Sequence, residues 1–180
     1  MADQNINWKQ LEANINRTLL ELPAQVGTAI VNWSKNRFRY QNWVDGGDFP
    51  WQPRKKGAKR NIGRAILINT GRLRRSIRII NASKNSVTVG TDVPYAAAHN
   101  EGFDGIVSVS SHQRRRFGKV DVYDITNRTK RKVKGVTGIG VVGEFKRHMQ
   151  MPRRRFLGES KNMNDVIERL ITQEIKKVLK

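Results

Sequence analysis

Residues able to act chemically on a substrate are few and scattered in this chain. His99, Asn100 and Glu101 are consecutive and combine a base, an amide and a carboxylate, but the other histidines, His112 and His148, stand far along the sequence. No HxxxH pair, serine elbow or carboxylate cluster accompanies them, and there is no cysteine. Metal ligation needs donors at fixed spacing, and nucleophilic catalysis needs a nucleophile within reach of a base. His99 therefore reads as a packed or hydrogen-bonded residue. The chain reads as no enzyme, with no catalytic, cofactor or metal site. The lack of cysteine also removes disulfide frameworks and points to assembly in a reducing cytoplasm.

Cationic chemistry, by contrast, is abundant. The 180 residues carry 35 Lys and Arg against 15 Asp and Glu, a formal net charge of +20. Residues 50–78 hold ten basic side chains and no acidic one, and residues 105–155 hold fourteen against three, a local excess of 14 − 3 = +11. The candidate assembly or DNA-facing residues are Arg54, Lys55 and Lys56 in the first stretch. In the second they are Arg114, Arg115, Arg116, Arg128, Lys130, Arg131, Lys132 and Lys134. Such density favours phosphate contacts, each of which releases condensed counterions without reading a base. An acidic protein partner or a solvated face accounts for the same charge. On strand edges, the charges would also prevent promiscuous pairing.

These side chains must be positioned by periodic segments. With 37% hydrophobic and 28% charged residues, the chain has a folding composition with exposed parts, and its length suits one domain plus an appendage. Trp8, Leu11, Ile15, Leu19 and Leu22 form an amphipathic helical stripe that should stop at Pro23, and Val26, Ile30, Trp33 and Phe38 resume it. Two helices or one kinked helix ending near Tyr40 result. Residues 41–59 collect Asp-Gly, Gly-Gly and prolines and read as an irregular basic loop. LRRSIRII (residues 73–80) and SVTVG (86–90) read as a hairpin, with Arg72, Arg74 and Arg78 on one face. VPYAAAHNEG (93–102) reads as a short helix ending at a glycine. Residues 103–150 alternate repeatedly around a basic turn at 128–134 and read as two to four long strands forming an extended arm. Met163, Ile167, Leu170, Ile171, Val178 and Leu179 give the apolar side of a terminal helix. Asn162 or Asn164 would cap it, and Asp165, Glu168, Lys176, Lys177 and Lys180 suit its macrodipole. No secretory signal or membrane-spanning run is expected.

LINTGRLRRSI (67–77), VGTDVPYAAAHNEG (89–102) and MPRRRFLGES (151–160), preceded by WxP at Trp51, occur in an order that is not generic. Together they resemble the Mu-like phage virion morphogenesis family, the tail-completion and neck proteins of long-tailed bacteriophages. The resemblance runs from about Phe38 to the C-terminus, interrupted by residues 103–150. It carries Trp51, Gly71, Leu73, Tyr95, His99, Gly102, Pro152, Phe156, Leu157 and Gly158 over as signature residues of the fold, without an associated activity. Trp51 would anchor the basic loop against the core.

The expected fold is α+β: a small antiparallel sheet packed by N- and C-terminal helices, with a long basic loop (41–66) and an extended β-hairpin arm. The core would comprise residues 1–102 and 151–180, and the arm 103–150. The resemblance implies a virion protein assembled in the host cytoplasm: a tail-completion or neck ring subunit, hexameric, joining tail tube and terminator to the head connector. No membrane is involved. The genome in transit would make at most non-specific contact with the ring. The alternative is a non-sequence-specific nucleic-acid-binding protein using basic β ribbons, although Phe117 and Tyr123 are the only aromatics near the densest basic runs before Phe145.

Overall fold

A computed structural model describes residues 7–54 and 63–179. Lys55, Lys56, Lys59, Arg60 and Lys180 lie outside the described residues, and with them the expectations placed there. Two compact units are distinguished, one formed by Met1–Phe103 and Met151–Lys180, the other by Asp104–Gln150.

The first unit opens with helix α1, Trp8–Tyr40, capped by the Asn7 side chain accepting from the Gln10 N–H. It does not stop at Pro23, which lies inside it. A proline costs a helix roughly 3 kcal/mol, and tertiary burial beyond it offsets this cost, since Gly27, Val31, Ser34, Arg37 and Phe38 are all buried. The earlier part of the stripe is open instead, with Trp8 at 71% and Leu19 at 50% exposure. The helix ends at Gln41, whose φ of 55° is left-handed.

The glycine-rich segment after α1, expected to be irregular, contains a short hairpin. Strand β1 (Asn42–Val44) pairs with β2 (Asp48–Pro50), Trp43 facing Phe49, and Gly46 at φ 67° supplies the turn. The Arg37 guanidinium donates to Asn42 Oδ1 (3.1 Å) and Asn42 Nδ2 donates to Asp48 Oδ1 (2.6 Å), locking hairpin to helix.

Residues 72–76 differ from expectation. They form a helical turn, α2 (Arg72–Ser76), after Gly71 at φ 76°, and Leu73 is buried. Hydropathy does not alternate through Arg72–Ser76, and burial of Leu73 against the core favours the helix. The shared strand face assigned to Arg72, Arg74 and Arg78 therefore does not exist. The hairpin itself consists of β3 (Arg78–Ala82) and β4 (Val87–Gly90), antiparallel, with a register shift between Ile79 and Asn81. That irregularity is the physical counterpart of the Ile79-Ile80 pair in the sequence. Helix α3 (Ala96–Asn100) follows, then Gly102 at φ 81°.

The last element of this unit is helix α4, Lys161–Val178. Its cap is Ser160, whose hydroxyl accepts from Met163 N–H and donates to the Val44 carbonyl (2.6 Å). Asn162, expected as a cap, instead accepts from Gly46 N–H (2.7 Å). Helix α1, not a sheet, is the principal neighbour of α4. The core joins Val31, Phe38, Trp51, Leu73, Ile77, Val93, Ala96 and Phe156. Burying each of the larger side chains contributes about 1.5–3 kcal/mol.

The second unit is all β. Strand β5 (Phe103–Val109) pairs with β8 (Phe145–Met151), and β6 (His112–Asp124) pairs antiparallel with β7 (Thr129–Val142). At about 3.4 Å per residue, the 13 residues of β6 make a ribbon roughly 40 Å long. The basic turn expected at 128–134 is mostly strand. The chain reverses at residues 125–128, where Asp124 Oδ1 accepts from Thr126 and Asn127 N–H and Arg128 takes φ 50°. Thus the fold is α+β with N- and C-terminal helices, its strands gathered into two-stranded sheets instead of a single one. No helix of the described residues is long and apolar enough to cross a membrane.

Candidate functional site

Most of the signature residues converge within the first unit. Gly71, Leu73, Tyr95 and His99 line one cavity of about 500 Å³, together with Arg54 and Arg154. Trp51 is buried, and its indole N–H donates to the Arg155 carbonyl (2.8 Å) while its ring meets Phe38 edge-on at 5.5 Å. Phe156 packs on Phe38 at 5.0 Å, and Leu157 lies against the same cluster. Gly102 is required twice over: its φ is positive, and a Cβ there would sit 3.1 Å from the Arg153 backbone nitrogen. Pro152 is half-buried, and Gly158 at φ 139° lies under the Arg155 guanidinium.

Two residues inside the quoted motifs do more than their motif suggested. Asn100 Oδ1 accepts from both Phe156 N–H (2.9 Å) and Leu157 N–H (3.0 Å), while its amide donates to the Leu157 carbonyl (2.9 Å). One amide thereby ties the returning chain to α3. Arg154 is buried, donating through its backbone to the His99 carbonyl (2.8 Å) and through Nε to the Gln52 carbonyl (2.9 Å). Asparagine beside a histidine and an arginine in a run of three carry no periodic signal, so only the positions they occupy reveal these roles.

Residues 99–101 are each engaged differently in this geometry. Asn100 is occupied as the clamp, Glu101 is paired with Arg153 (3.4 Å), and His99 Nδ1 is buried without a hydrogen-bond partner among the described residues. Burial, followed by the charge of Arg154, lowers the His99 pKa from its ordinary value. No group of three or more metal-ligating side chains occurs among the described residues.

The basic candidates divide. Arg54 is half-buried at the cavity, where its Nη2 donates to the Ala65 carbonyl (2.7 Å). Lys55 and Lys56 lie outside the described residues. The other eight sit on the ribbon or its turn. Cross-strand partners share a face, and the register pairs Lys119 with Lys134, Asp121 with Lys132 and Tyr123 with Lys130. With Arg115 and Phe117, that face collects five cations and one carboxylate. Arg114, Arg116 and Arg131 occupy the opposite face. Among the described residues none of these cations forms an ion pair.

No curated protein and no solved structure shows a detectable match. The model of the phage virion morphogenesis family, by contrast, matches residues 7–176, taking in α1 and the second unit as well as the motif-bearing core. A match over nearly the whole length, on a core assembled from those very motifs, settles the relationship and implies a structural role in the virion: this chain belongs to the phage virion morphogenesis family.

Proposed function

We propose that the chain is a tail-completion or neck subunit, forming a homo-oligomeric ring that joins the tail tube and terminator to the head connector. The observation that supports this most is the β6–β7 ribbon, which carries Phe117, Val136, Ile139 and Val141 at 47–79% exposure. Isolated two-stranded ribbons are marginal in water, so apolar side chains this open are suited to a neighbouring subunit. Rings of a single chain use heterologous contacts that close by rotation, and a ribbon laid on the next copy makes such a contact. Six subunits are the number suggested by the family resemblance. Electron microscopy of particles made without this protein tests the role: filled heads and tails should accumulate unjoined or wrongly terminated. Normally joined particles would remove it.

A second reading gives the same ribbon face to the genome instead of a neighbouring subunit. The face bearing Lys119, Lys130, Lys132 and Lys134 also exposes Phe117 and Tyr123, which favours sequence-independent contact with DNA passing through the channel. Affinity for duplex DNA should then be indifferent to sequence and fall steeply with salt. A thousandfold preference for one sequence, persisting at high salt, would favour a dedicated nucleic-acid-binding protein instead.

A further inference from the structure

The cavity in the first unit is unusual in its charge. Arg54, Arg72 and Arg154 line it, and no Asp or Glu does so among the described residues. Residues 55–62, which follow Arg54, contain no acidic residue in their sequence. Arg154 is 8% exposed, and its two side-chain hydrogen bonds go to carbonyls, of Gln52 and Pro53 (2.9 and 3.4 Å), which leave its charge uncompensated. Burying like charges together without a counter-ion is costly, and both desolvation and the nearness of Arg54 lower the Arg154 pKa. Two further polar nitrogens point to a missing partner. Arg54 Nη1 and His99 Nδ1 are buried at the cavity and make no hydrogen bond among the described residues.

The wall is also strained. Leu67, a lining residue, adopts φ 58°, a left-handed conformation uncommon for a side chain of this type and costing on the order of 1 kcal/mol. Such conformations gather at binding sites, where the surrounding fold enforces them. Ile66, Leu67 and Leu73 line the cavity together with the arginines. An anion carried on an apolar stem matches this lining. A duplex phosphate does not, because it is flanked by polar sugar and further charge and a rigid double helix is too wide to enter.

We infer that this cavity takes the side-chain carboxylate of a protein partner, an Asp or Glu presented beside an apolar residue, with Arg54 and Arg154 as its charge partners. That the partner is another virion subunit rests on the assembly reading above. Carboxylate binding does not.

The test uses the isolated full chain and the capped dipeptide acetyl-leucyl-glutamate amide, with its neutral glutamine counterpart, inorganic phosphate and a short DNA duplex as comparisons. The glutamate peptide should shift the His99 imidazole resonances and raise Tm, while the glutamine peptide does neither. Arg54→Gln should weaken the peptide at least about tenfold, the loss of one charge-assisted contact. Arg72→Gln, at an exposed position, should weaken it less and decides the matter if Arg54→Gln does not fold. No response of His99 to the glutamate peptide, equal response to the glutamine peptide, or unchanged binding in both variants overturns the inference. Tighter binding of phosphate or DNA at His99 overturns it also, assigning the cavity to phosphate. A chain that joins heads to tails normally yet ignores the acidic peptide would sink this inference alone.

Discussion

Phe156 and Phe117 are the same side chain in opposite circumstances. Phe156 is 1% exposed, in contact with Phe38 and fixed through its own N–H by Asn100, whereas Phe117 is 59% exposed on a ribbon whose cross-strand neighbour, Val136, is open as well. In the first unit, packing and side-chain-to-backbone hydrogen bonds act on the same residues, so the chain supplies its own order. In the second, the β6–β7 ladder supplies hydrogen bonds and little buried area. The difference teaches where each unit gets its order: the first from packing and hydrogen bonds on the same residues, the ribbon from backbone pairing with little burial.

The largest expected effect breaks the first side of that comparison. Phe156→Ala should destabilise the isolated protein by about 3–5 kcal/mol, since it removes an aromatic from a closed cluster. Phe117→Ala should cost less than about 0.5 kcal/mol, as exposed substitutions do. Denaturant unfolding of both variants decides the matter. Comparable losses would mean that Phe117 is covered in the free chain, and the contrast between the units would fall. Next in size is Asn100→Ala, which leaves the Phe156 and Leu157 N–H groups without their acceptor and should cost about 2–3 kcal/mol. If it behaves like a surface substitution, the return of the chain at residues 154–157 is held by packing alone.

How much of this could be read in advance depended on how many residues shared a signal. The stripe of α4 and the hairpin pairing of β3 with β4 were legible because several side chains repeat one period. Helix α1 was legible in extent but not across Pro23, because the interactions that carry it through that residue are tertiary. The α2 turn reads as strand in the sequence, since the burial of Leu73 decides it and the alternation that begins at Ser76 does not reach back to it. The motifs could be named from the sequence, but not that Gly71, Leu73, Tyr95 and His99 would surround one cavity with Arg54 and Arg154. Convergence of that kind depends on chain reversals far apart in sequence. The ribbon was legible as alternating strands, yet its basic turn lay largely within β7, because the Asp124 side chain closes the reversal at 125–128.

A smaller effect on stability, and a large one on association, sharpens the ribbon's side. Reversing Lys130, Lys132 and Lys134 to Glu together should change the unfolding free energy by no more than about 0.5 kcal/mol, because exposed charges contribute little and these have no ion-pair partner among the described residues. Association with DNA in low salt should be lost, along with most of its salt dependence, and particle yield in complementation should drop. Normal yield together with unchanged DNA binding would leave the ribbon's charge without a role. A large stability loss would show instead that the cations pack within the free chain.

The smallest effect is a pH dependence confined to the first unit. His99 has its pKa lowered below the ordinary 6.5 by burial first and by Arg154 second, and Arg54 and Arg72 line the same cavity. Unfolding returns the imidazole to water and to its ordinary proton affinity. Between the folded and unfolded values the unfolded state therefore binds more protons, and stability rises with pH. The contribution is fully present above about pH 6.5 and is lost as pH falls through the folded value. Chemical denaturation from pH about 7.5 down to about 5 should show the native protein losing more stability than His99→Gln, which keeps the backbone and removes the titration. Equal slopes for the two proteins would place the His99 ring in water, opening the cavity wall that the buried imidazole helps to close. A bound carboxylate should reverse the trend, because an anion beside the ring favours its protonated form.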